Sequence, residues 1–505
     1  MRIQQIITHQ DNMMRILSYT VLHTVVAMMY VLSLTTNSAI LSMIAILSLM
    51  ALYVMPQPWH SRALSLTVLH SMLLFLSSYW LIYSLHDMLK LNYIAAIAVI
   101  ASAAILISPL LSLPIMAYHL RLPNPSTPIS CSLLLIIGEY IRQQTFLATP
   151  WLNFGSIALN IPLLRIAFPI GGAILASYLL LRVAELAINI FNGKIDKDGK
   201  CIIIACGLLT IYGTYDYFKQ HNDDSKTGTL EINLIQGNID HQKPHDPFAI
   251  WEVYLQLIEK QNQHSLSILP EGILSFSKDE LTLKKFSQYK FLKNTFIGVN
   301  FADHKSYNSM LVGANQAHGH YRKQRYVPFG EYLPMSGLLG HFVHYFDNKK
   351  DPITEYSVHQ LRYREYTFFP MICYDLFFEP LQKERLSDTD GIIVIAENTW
   401  FRDSLMQTMF LRHAQQRAIE YHKPVLLAMN RGYSAHITAA GKIEKKMPFA
   451  EQSVLHSKIT KHNKNSTPYS NIPDGMVIVF LVALESIGVL WTRSIINNFA
   501  TREKT

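Results

Sequence analysis

Charged residues are scarce in this sequence. Only 16% of its 505 residues are Asp, Glu, Lys or Arg, against about 25% in a typical soluble protein. The formal net charge of +8 is spread over dispersed basic residues, whereas a nucleic-acid binder concentrates Lys and Arg in stripes interleaved with aromatics. We therefore expect no nucleic-acid partner.

Cysteine is also rare. The chain has four cysteines, Cys131, Cys201, Cys206 and Cys373. No pair has the CxxC spacing of a metal site, and a disulfide framework is improbable. The histidines, among them His23, His70 and His86, show no ligand-like clustering. We expect neither a metal nor another cofactor.

Long apolar runs occupy the part of the chain where charge is missing. Most approach the roughly 20 residues that cross a bilayer. Glu139 and Arg142 interrupt the fifth, and the first is expected to be an anchor rather than a cleaved signal peptide. The predicted spans are 16–36, 38–55, 64–85, 93–118, 130–148, 165–191, 201–217 and, after a polar region, 475–491.

The polar region predicts a mixed α/β domain. Strand-like runs are LEINLIQGNI, SLSILPEG, NTFIGVNF, TFFPMICYDL, GIIVIAENTW and PVLLAMN, and apolar periodicity predicts helices at 247–262 and 404–421. Residues 456–473 are predicted to be a polar linker. The expected domains are a bundle of about seven transmembrane helices over 1–217, an α/β domain over 218–473, and a last transmembrane helix with a basic tail over 474–505.

The basic residues predict an orientation. Positive residues prefer the cytoplasmic side of a membrane. Arg121, the three lysines between 194 and 200, and the basic residues after 491 all fall on that side if both termini are cytoplasmic. The polar domain is then extracytoplasmic.

Three motifs that follow strand-like runs carry candidate chemistry. Glu271 lies in LPEG, Lys323 and Glu331 lie in YRKQRYVPFGEYLP, and Cys373 lies in ICYDLFF. A carboxylate can take the proton of a thiol, and an ammonium favours the thiolate and stabilises a developing oxyanion. Such a thiolate could form a thioester with an acyl group. Taken singly, such a Glu is usually a solvated loop residue, such a Lys a surface charge and a lone Cys a small buried apolar residue, and the residues alone do not show that they meet.

Together, LPEG, YRK and ICYD resemble the nitrilase superfamily, whose catalytic residues are Glu, Lys and Cys in that order. The rest of the chain resembles its membrane-bound branch, the apolipoprotein N-acyltransferases. The shared segments are YWLIYSLH, PWLNFG, FPIGG, LIQGNI, YNS, VPFGEYLP, NTWF, HAQQRAIE and AMNRGYS. This resemblance implies an αββα nitrilase-like sandwich for the extracytoplasmic domain.

The resemblance also implies residue roles. Glu271 is expected to be the general base, Lys323 the stabiliser of the oxyanion and thiolate, and Cys373 the nucleophile. The expected supporting residues of the active site are Glu331, Tyr374, Asp375 and Trp400. Candidates that face substrate or lipid are Trp151, Asn153, Phe329 and Tyr332.

The sequence departs from the family pattern in four places. Asp375 stands where Glu is usual, and Ala396-Glu397-Asn398 replaces Ser-Asn-Asp. Arg402 replaces a usual Gly, and His245 stands where Trp is often found. These departures bear on acyl-donor handling and rate more than on the type of reaction.

The implied reaction is ping-pong acyl transfer in the inner membrane of a bacterium. Phosphatidylethanolamine would acylate Cys373, and the diacylglyceryl-cysteine of a lipoprotein would accept the chain as an amide. One alternative is a membrane-anchored amidase or carbon–nitrogen hydrolase, to which ICYD corresponds closely. Others are a paralogue that acylates another amine, and a transporter or scaffold with a decayed domain.

Overall fold

The computed structural model describes residues 2–55, 58–121, 129–146, 148–193, 212–213, 228–240, 247–262, 264–277, 294–302, 306–312, 320–328, 330–332, 360–461 and 466–502. The chain divides into two compact units. One comprises Met1–Asp216 with Ile472–Thr505, and the other comprises Tyr217–Asn471.

The first unit is helical. Its helices are α1 (Arg2–Thr35), α2 (Ala39–Val54), α3 (Trp59–Ser78), α4 (Leu81–Leu89), α5 (Tyr93–Arg121), α6 (Cys131–Gln143), α7 (Phe168–Phe191) and α10 (Asp474–Arg502). Short turns at Pro150–Leu152, Gly155–Ala158 and Pro162–Arg165 connect α6 to α7. Apolar side chains such as Ile94 and Leu106 on α5 are largely exposed, as expected of a surface that faces lipid.

Three helices in the described residues are long and apolar enough to cross a membrane: Ser18–Thr35, Tyr93–Leu120 and Phe168–Phe191. A fourth span forms if Ser61–Ser78 and Leu81–Asp87, bent by 57°, count as one. The predicted span 38–55 is a helix of 16 residues, and 130–148 contains one of only 13. Almost all of the predicted span 201–217 lies outside the described residues.

Two buried carboxylates hold the beginning of α6. Glu185 on α7 accepts hydrogen bonds from the backbone N–H groups of Cys131 and Ser132, both at 3.1 Å. Glu485 on α10 accepts from the N–H of Ser130 at 2.8 Å. The first N–H groups of a helix have no partner within the helix, so these carboxylates satisfy them and tie three helices together.

The second unit contains thirteen described strands and two longer helices. The strands are β1 (Thr229–Gln236), β2 (Leu266–Ile268), β3 (Leu274–Ser277), β4 (Thr295–Ala302), β5 (Ser306–Val312), β6 (His320–Arg322), β7 (Leu361–Tyr363), β8 (Tyr366–Ile372), β9 (Gly391–Ala396), β10 (Val425–Met429), β11 (Ala435–Ile437), β12 (Ile443–Lys446) and β13 (Ser453–Thr460). The helices are α8 (Pro247–Glu259) and α9 (Leu405–Tyr421).

These strands form two sheets that pack on each other. The first has the order β13-β1-β2-β4-β5-β6 with β3 beside β4, and the second has the order β12-β11-β10-β9-β8-β7. Phe296 and Phe368, one from each sheet, stack edge to face with 6.0 Å between ring centroids. Helix α8 packs on β1 and β3, and α9 packs on β10 and β11. The predicted helix-sheet-sheet-helix fold class is confirmed.

All six predicted strand runs contain strands, and both predicted helices form. The predicted linker 456–473 is wrong at its beginning, because β13 extends to Thr460 and pairs antiparallel with β1. Leu455, Ser457 and Ile459 are buried and the residues between them exposed. This alternation is typical of a strand with one buried face.

Candidate active site

The candidate residues follow the ends of strands. Cys373 directly follows β8, Glu397 follows β9, and Asn430 follows β10. Because β8, β9 and β10 are parallel neighbours, their carboxyl ends share one edge of the second sheet. Glu271 follows β2 in the first sheet, and Lys323 follows β6.

Glu271 is buried beside the backbone of β4. Hydrogen bonds from Leu269 N to Phe296 O at 2.9 Å and from Ile273 N to Gly298 O at 3.1 Å hold its loop. A Cβ on Gly298 would lie 2.6 Å from the Cα of Glu271. Only glycine allows this approach without displacing the loop.

Lys323 brings two carboxylates together. Its Nζ donates to Oε1 of Glu271 at 3.0 Å and to Oε1 of Glu331 at 2.6 Å. The other oxygen of Glu331 accepts from the backbone N–H of Val327 at 2.8 Å. The lysine side chain is 1% exposed, so its charge acts in a site with little water.

Cys373 occupies a strained turn. Its φ is 50°, a left-handed backbone conformation that residues other than Gly, Asn and Asp seldom adopt. The turn Cys373–Phe377 begins there, directly after the extended strand β8. Such strain is found at functional sites, where the surrounding structure holds it.

Asp375 joins this turn to the segment that carries Lys323. It accepts hydrogen bonds from Gln324 N at 3.1 Å and Arg325 N at 2.7 Å through Oδ1. It accepts from Tyr321 Oη at 2.8 Å and Ile372 N at 3.1 Å through Oδ2. The carboxylate therefore fixes the position of Lys323 relative to the thiol.

Burial and charge set the protonation of the site. Burial raises the pKa of Glu271, against the lowering effect of Lys323. Burial opposes the charge of Lys323, but Glu271 and Glu331 outweigh it and raise the pKa of the lysine well above its usual value. Burial also raises the pKa of Cys373, and Lys323 only partly opposes this. Lys323 thus favours the thiolate, as expected, but burial outweighs it, so the reaction needs a base to take the thiol proton.

Two buried amides that the sequence did not single out organise the loops. Asn430 donates to Ile239 O at 2.7 Å and accepts from Ile239 N at 2.9 Å, joining the loops after β1 and β10. Gln407 on α9 donates to Arg402 O at 2.9 Å and accepts from Asn398 Nδ2 at 3.0 Å. Asn430 lies in the segment AMNRGYS, which gives it no individual role, and Gln407 is marked only as a polar residue between apolar ones.

The remaining candidates of this unit have different environments. Tyr374 is buried, and its ring packs edge to face on Phe378 at 4.9 Å. Trp400 lies half-buried in the turn Thr399–Phe401, and Tyr332 is also half-buried. Phe329 lies outside the described residues.

Trp151 and Asn153, the candidates for facing substrate or lipid in the helical unit, are buried. Trp151 is 7% exposed, donates to Ser78 Oγ at 3.2 Å and packs edge to face on Trp80. Asn153 is 3% exposed and accepts from Ser156 N at 2.7 Å. Both stabilise the inside of the helical unit, because the loop Pro150–Leu152 folds into it.

A family model described as apolipoprotein N-acyltransferase N-terminal domain matches residues 26–186. The chain is 27% identical over 472 residues to an apolipoprotein N-acyltransferase from Haemophilus influenzae, covering 86% of this chain and 88% of that one. A Pseudomonas aeruginosa protein of the same name is 27% identical over 417 residues, covering 77% of this chain and 80% of that one.

Two solved structures match a little under half of this chain. A CN-hydrolase superfamily protein from Xanthomonas campestris is 18% identical, with a TM-score of 0.36, and the match covers 46% of this chain and 91% of that one. An amidase from Nesterenkonia sp. is 12% identical, with a TM-score of 0.33, covering 48% of this chain and 92% of that one.

Proposed function

We propose that the chain, which is similar to apolipoprotein N-acyltransferases over most of its length, N-acylates lipoproteins through a thioester on Cys373. The acyl donor is a phospholipid, in our proposal phosphatidylethanolamine. The acceptor is the α-amino group of an N-terminal diacylglyceryl-cysteine. The protein lies in the inner membrane of a bacterium, with its α/β unit on the periplasmic side.

The observation that carries the proposal is the Lys323 ammonium held between Glu271 and Glu331, on a segment that Asp375 ties to the turn of Cys373. As the sulfur attacks the acyl carbonyl, Glu271 takes the thiol proton. Lys323 stabilises the oxyanion that forms. When the tetrahedral intermediate collapses, the C–O bond breaks, Glu271 returns the proton to the leaving lysophospholipid, and the thioester remains.

The second half-reaction uses the same groups. The acceptor amine attacks the thioester carbonyl, and Glu271 takes a proton from the amine. The C–S bond breaks, the amide forms, and the proton returns to the sulfur of Cys373. Two half-reactions through a covalent intermediate replace one slower direct transfer.

Membrane anchoring suits these substrates. Removing a lipid chain from a bilayer costs about 0.8 kcal/mol per CH₂ group, so extraction of donor and acceptor would be prohibitive. The α/β unit has helical segments before and after it in the chain. A catalytic unit anchored in this way meets its substrates by their lateral diffusion.

A hydrolase that passes the acyl group to water is the second candidate. Asp375 in ICYD favours it, since soluble carbon–nitrogen hydrolases use Asp there. A transferase that uses another amine is the third candidate, because Glu397 and Arg402 depart from the family pattern.

The test is incubation of the purified full chain with phosphatidylethanolamine, labelled in the sn-1 acyl chain, and a diacylated lipopeptide. We expect the label in the peptide, and no transfer by the Cys373→Ala variant. Cys131→Ala, which changes a buried cysteine of the helical unit, is the matched control and should retain transfer. Labelled free fatty acid without labelled peptide would overturn the proposal in favour of the hydrolase.

A further inference from the structure

The two oxygens of Glu271 are held by different parts of the chain. Oε1 accepts from Lys323 at 3.0 Å. Oε2 accepts from the backbone N–H of Glu397 at 3.1 Å, in the loop that follows β9. The direction of that N–H therefore fixes the orientation of the carboxylate plane.

A tight side-chain turn sets the direction of this N–H. The carboxylate of Glu397 accepts from the backbone N–H of Thr399 at 2.9 Å, and the hydroxyl of Thr399 donates to the same oxygen. Carboxylates that bond to the backbone two residues ahead stabilise turns in this way. Thr399 is 2% exposed, so little water competes for its hydroxyl.

Thr399 is in turn anchored to the opposite loops. Its Oγ1 accepts from Asn430 Nδ2 at 3.3 Å. Oδ1 of Asn430 accepts from Tyr254 Oη on α8 and from Ile239 N, both at 2.9 Å. The hydroxyl of Thr399 thus lies between the side-chain amide of Asn430 and the turn at Glu397 that holds Glu271.

We propose that Thr399 is a positioning residue for the general base: by holding the turn at Glu397, it aims the N–H that orients the Glu271 carboxylate. This inference rests on the proposed role of Glu271. Thr399 itself acts only through the turn and touches no reacting atom in this account.

The groups around Glu271 predict how the pH dependence of the rate should change when its orientation is disturbed. Lys323 and Glu331 face it from the segment after β6, and Cys373 interacts with it from the turn after β8. The hydrogen bond from Glu397 N lowers the pKa of Glu271. Weakening that bond should raise this pKa and move the acidic limb of the rate profile to higher pH, an effect that loss of stability alone does not produce.

The experiment compares Thr399→Val, which keeps the volume and loses the hydroxyl, with Thr399→Ser, which keeps the hydroxyl. The rate of Cys373 acylation by phosphatidylethanolamine is measured from acidic to alkaline pH. For Thr399→Val we expect about a tenfold lower rate, corresponding to one well-placed interaction, an unchanged KM, and an acidic limb at higher pH. Thr399→Ser should match the wild type.

Two further variants keep the test decisive. Thr399→Ala cannot overpack and should reproduce the shift if the valine variant fails to fold. Thr389→Val removes a buried hydroxyl whose partner is Leu386 O and should leave the pH profile unchanged. If the wild type is acylated and the variants without the hydroxyl have the same acidic limb as the wild type, this inference alone is overturned. A wild type that never acylates Cys373 would overturn the proposed function and the inference with it.

Discussion

At the scale of single residues, Asp375 connects the segment that carries Lys323 to the turn that carries Cys373. Burial raises its pKa to about 6, although its hydrogen bonds lower it. Because this value lies above the usual value of about 3.9, the folded state binds the proton more tightly than the unfolded state. The stability from this group is fully present below that usual pKa and is lost as pH rises through about 6. Its hydrogen bonds limit the cost of the charge at neutral pH.

Tyr321→Phe removes one of those hydrogen bonds. We expect it to lower the free energy of unfolding by about 1 kcal/mol, because Tyr321 is 2% exposed and its hydroxyl bonds to Asp375 at 2.8 Å. Denaturant unfolding in detergent measures the change. Tyr363→Phe is the control, since its hydroxyl is 3.5 Å from its acceptor. Equal stability of the two variants would contradict this account of Asp375.

Arg402 adopts a backbone conformation that suits glycine. Its φ is 49° and ψ is −161°, a region in which a side chain costs about 1–3 kcal/mol. We expect Arg402→Gly to raise the free energy of unfolding by about 1 kcal/mol, since greater freedom of the unfolded chain offsets part of the relief. Arg402→Ala keeps the Cβ and should show no gain. If alanine stabilises as much as glycine, the backbone is not the source.

The sequence predicts the candidate site's residue types but not how they are arranged. Glu271, Lys323 and Cys373 stand out because their motifs follow strand-like runs and resemble a known set. The role of Asn430 is hidden because its partner Ile239 is far away in the chain, and Gln407 does not stand out because it is an ordinary polar residue of a helix whose partners lie in the preceding loop. The left-handed turn at Cys373 is also hidden, since it depends on the packing around a residue that has no intrinsic preference for it.

At the scale of elements, the carboxylates at the beginning of α6 matter most. Glu485→Ala leaves Ser130, Tyr178 and Arg182 without the acceptor they share. Losing one partner of a buried charged network costs about 3–5 kcal/mol, so we expect a large fall in the thermal unfolding midpoint in detergent.

Ser486→Ala is the matched control on the same helix. Its hydroxyl donates to the carbonyl of Val482 within α10, so the midpoint of this variant should stay close to that of the wild type. A similar midpoint for both variants would show that Glu485 does not tie α10 to α6 and α7.

Elements differ in how well the sequence predicts them. The central strands β8, β9 and β10 are buried at every position. Strands that are covered on both faces of their sheet appear in the sequence as continuous apolar runs. Shorter strands such as β7 and β11 lack that signal, and the part of β13 from residue 456 onward resembles a linker because alternate residues are polar. The sequence does not predict the break at Tyr79 and Trp80 between α3 and α4, because it stays apolar across the break.

At the scale of the whole molecule, the chain combines helices that can cross a membrane with a two-sheet α/β unit. The composition of the chain predicts that the first helical part ends at 217 and that the α/β domain ends at 473. In the structure, the two compact units divide between Asp216 and Tyr217 and between Asn471 and Ile472. The polar region thus folds around its own core, while substrates of the proposed reaction stay in the bilayer.

The central claim is that Cys373 carries the acyl group. The most direct measurement is peptide mass spectrometry of the full chain after exposure to phosphatidylethanolamine without an acceptor. We predict one acyl group on Cys373 that hydroxylamine removes at neutral pH, and none in Cys373→Ala. An unmodified Cys373 after this exposure, or an acyl group that persists in the alanine variant, would contradict the account.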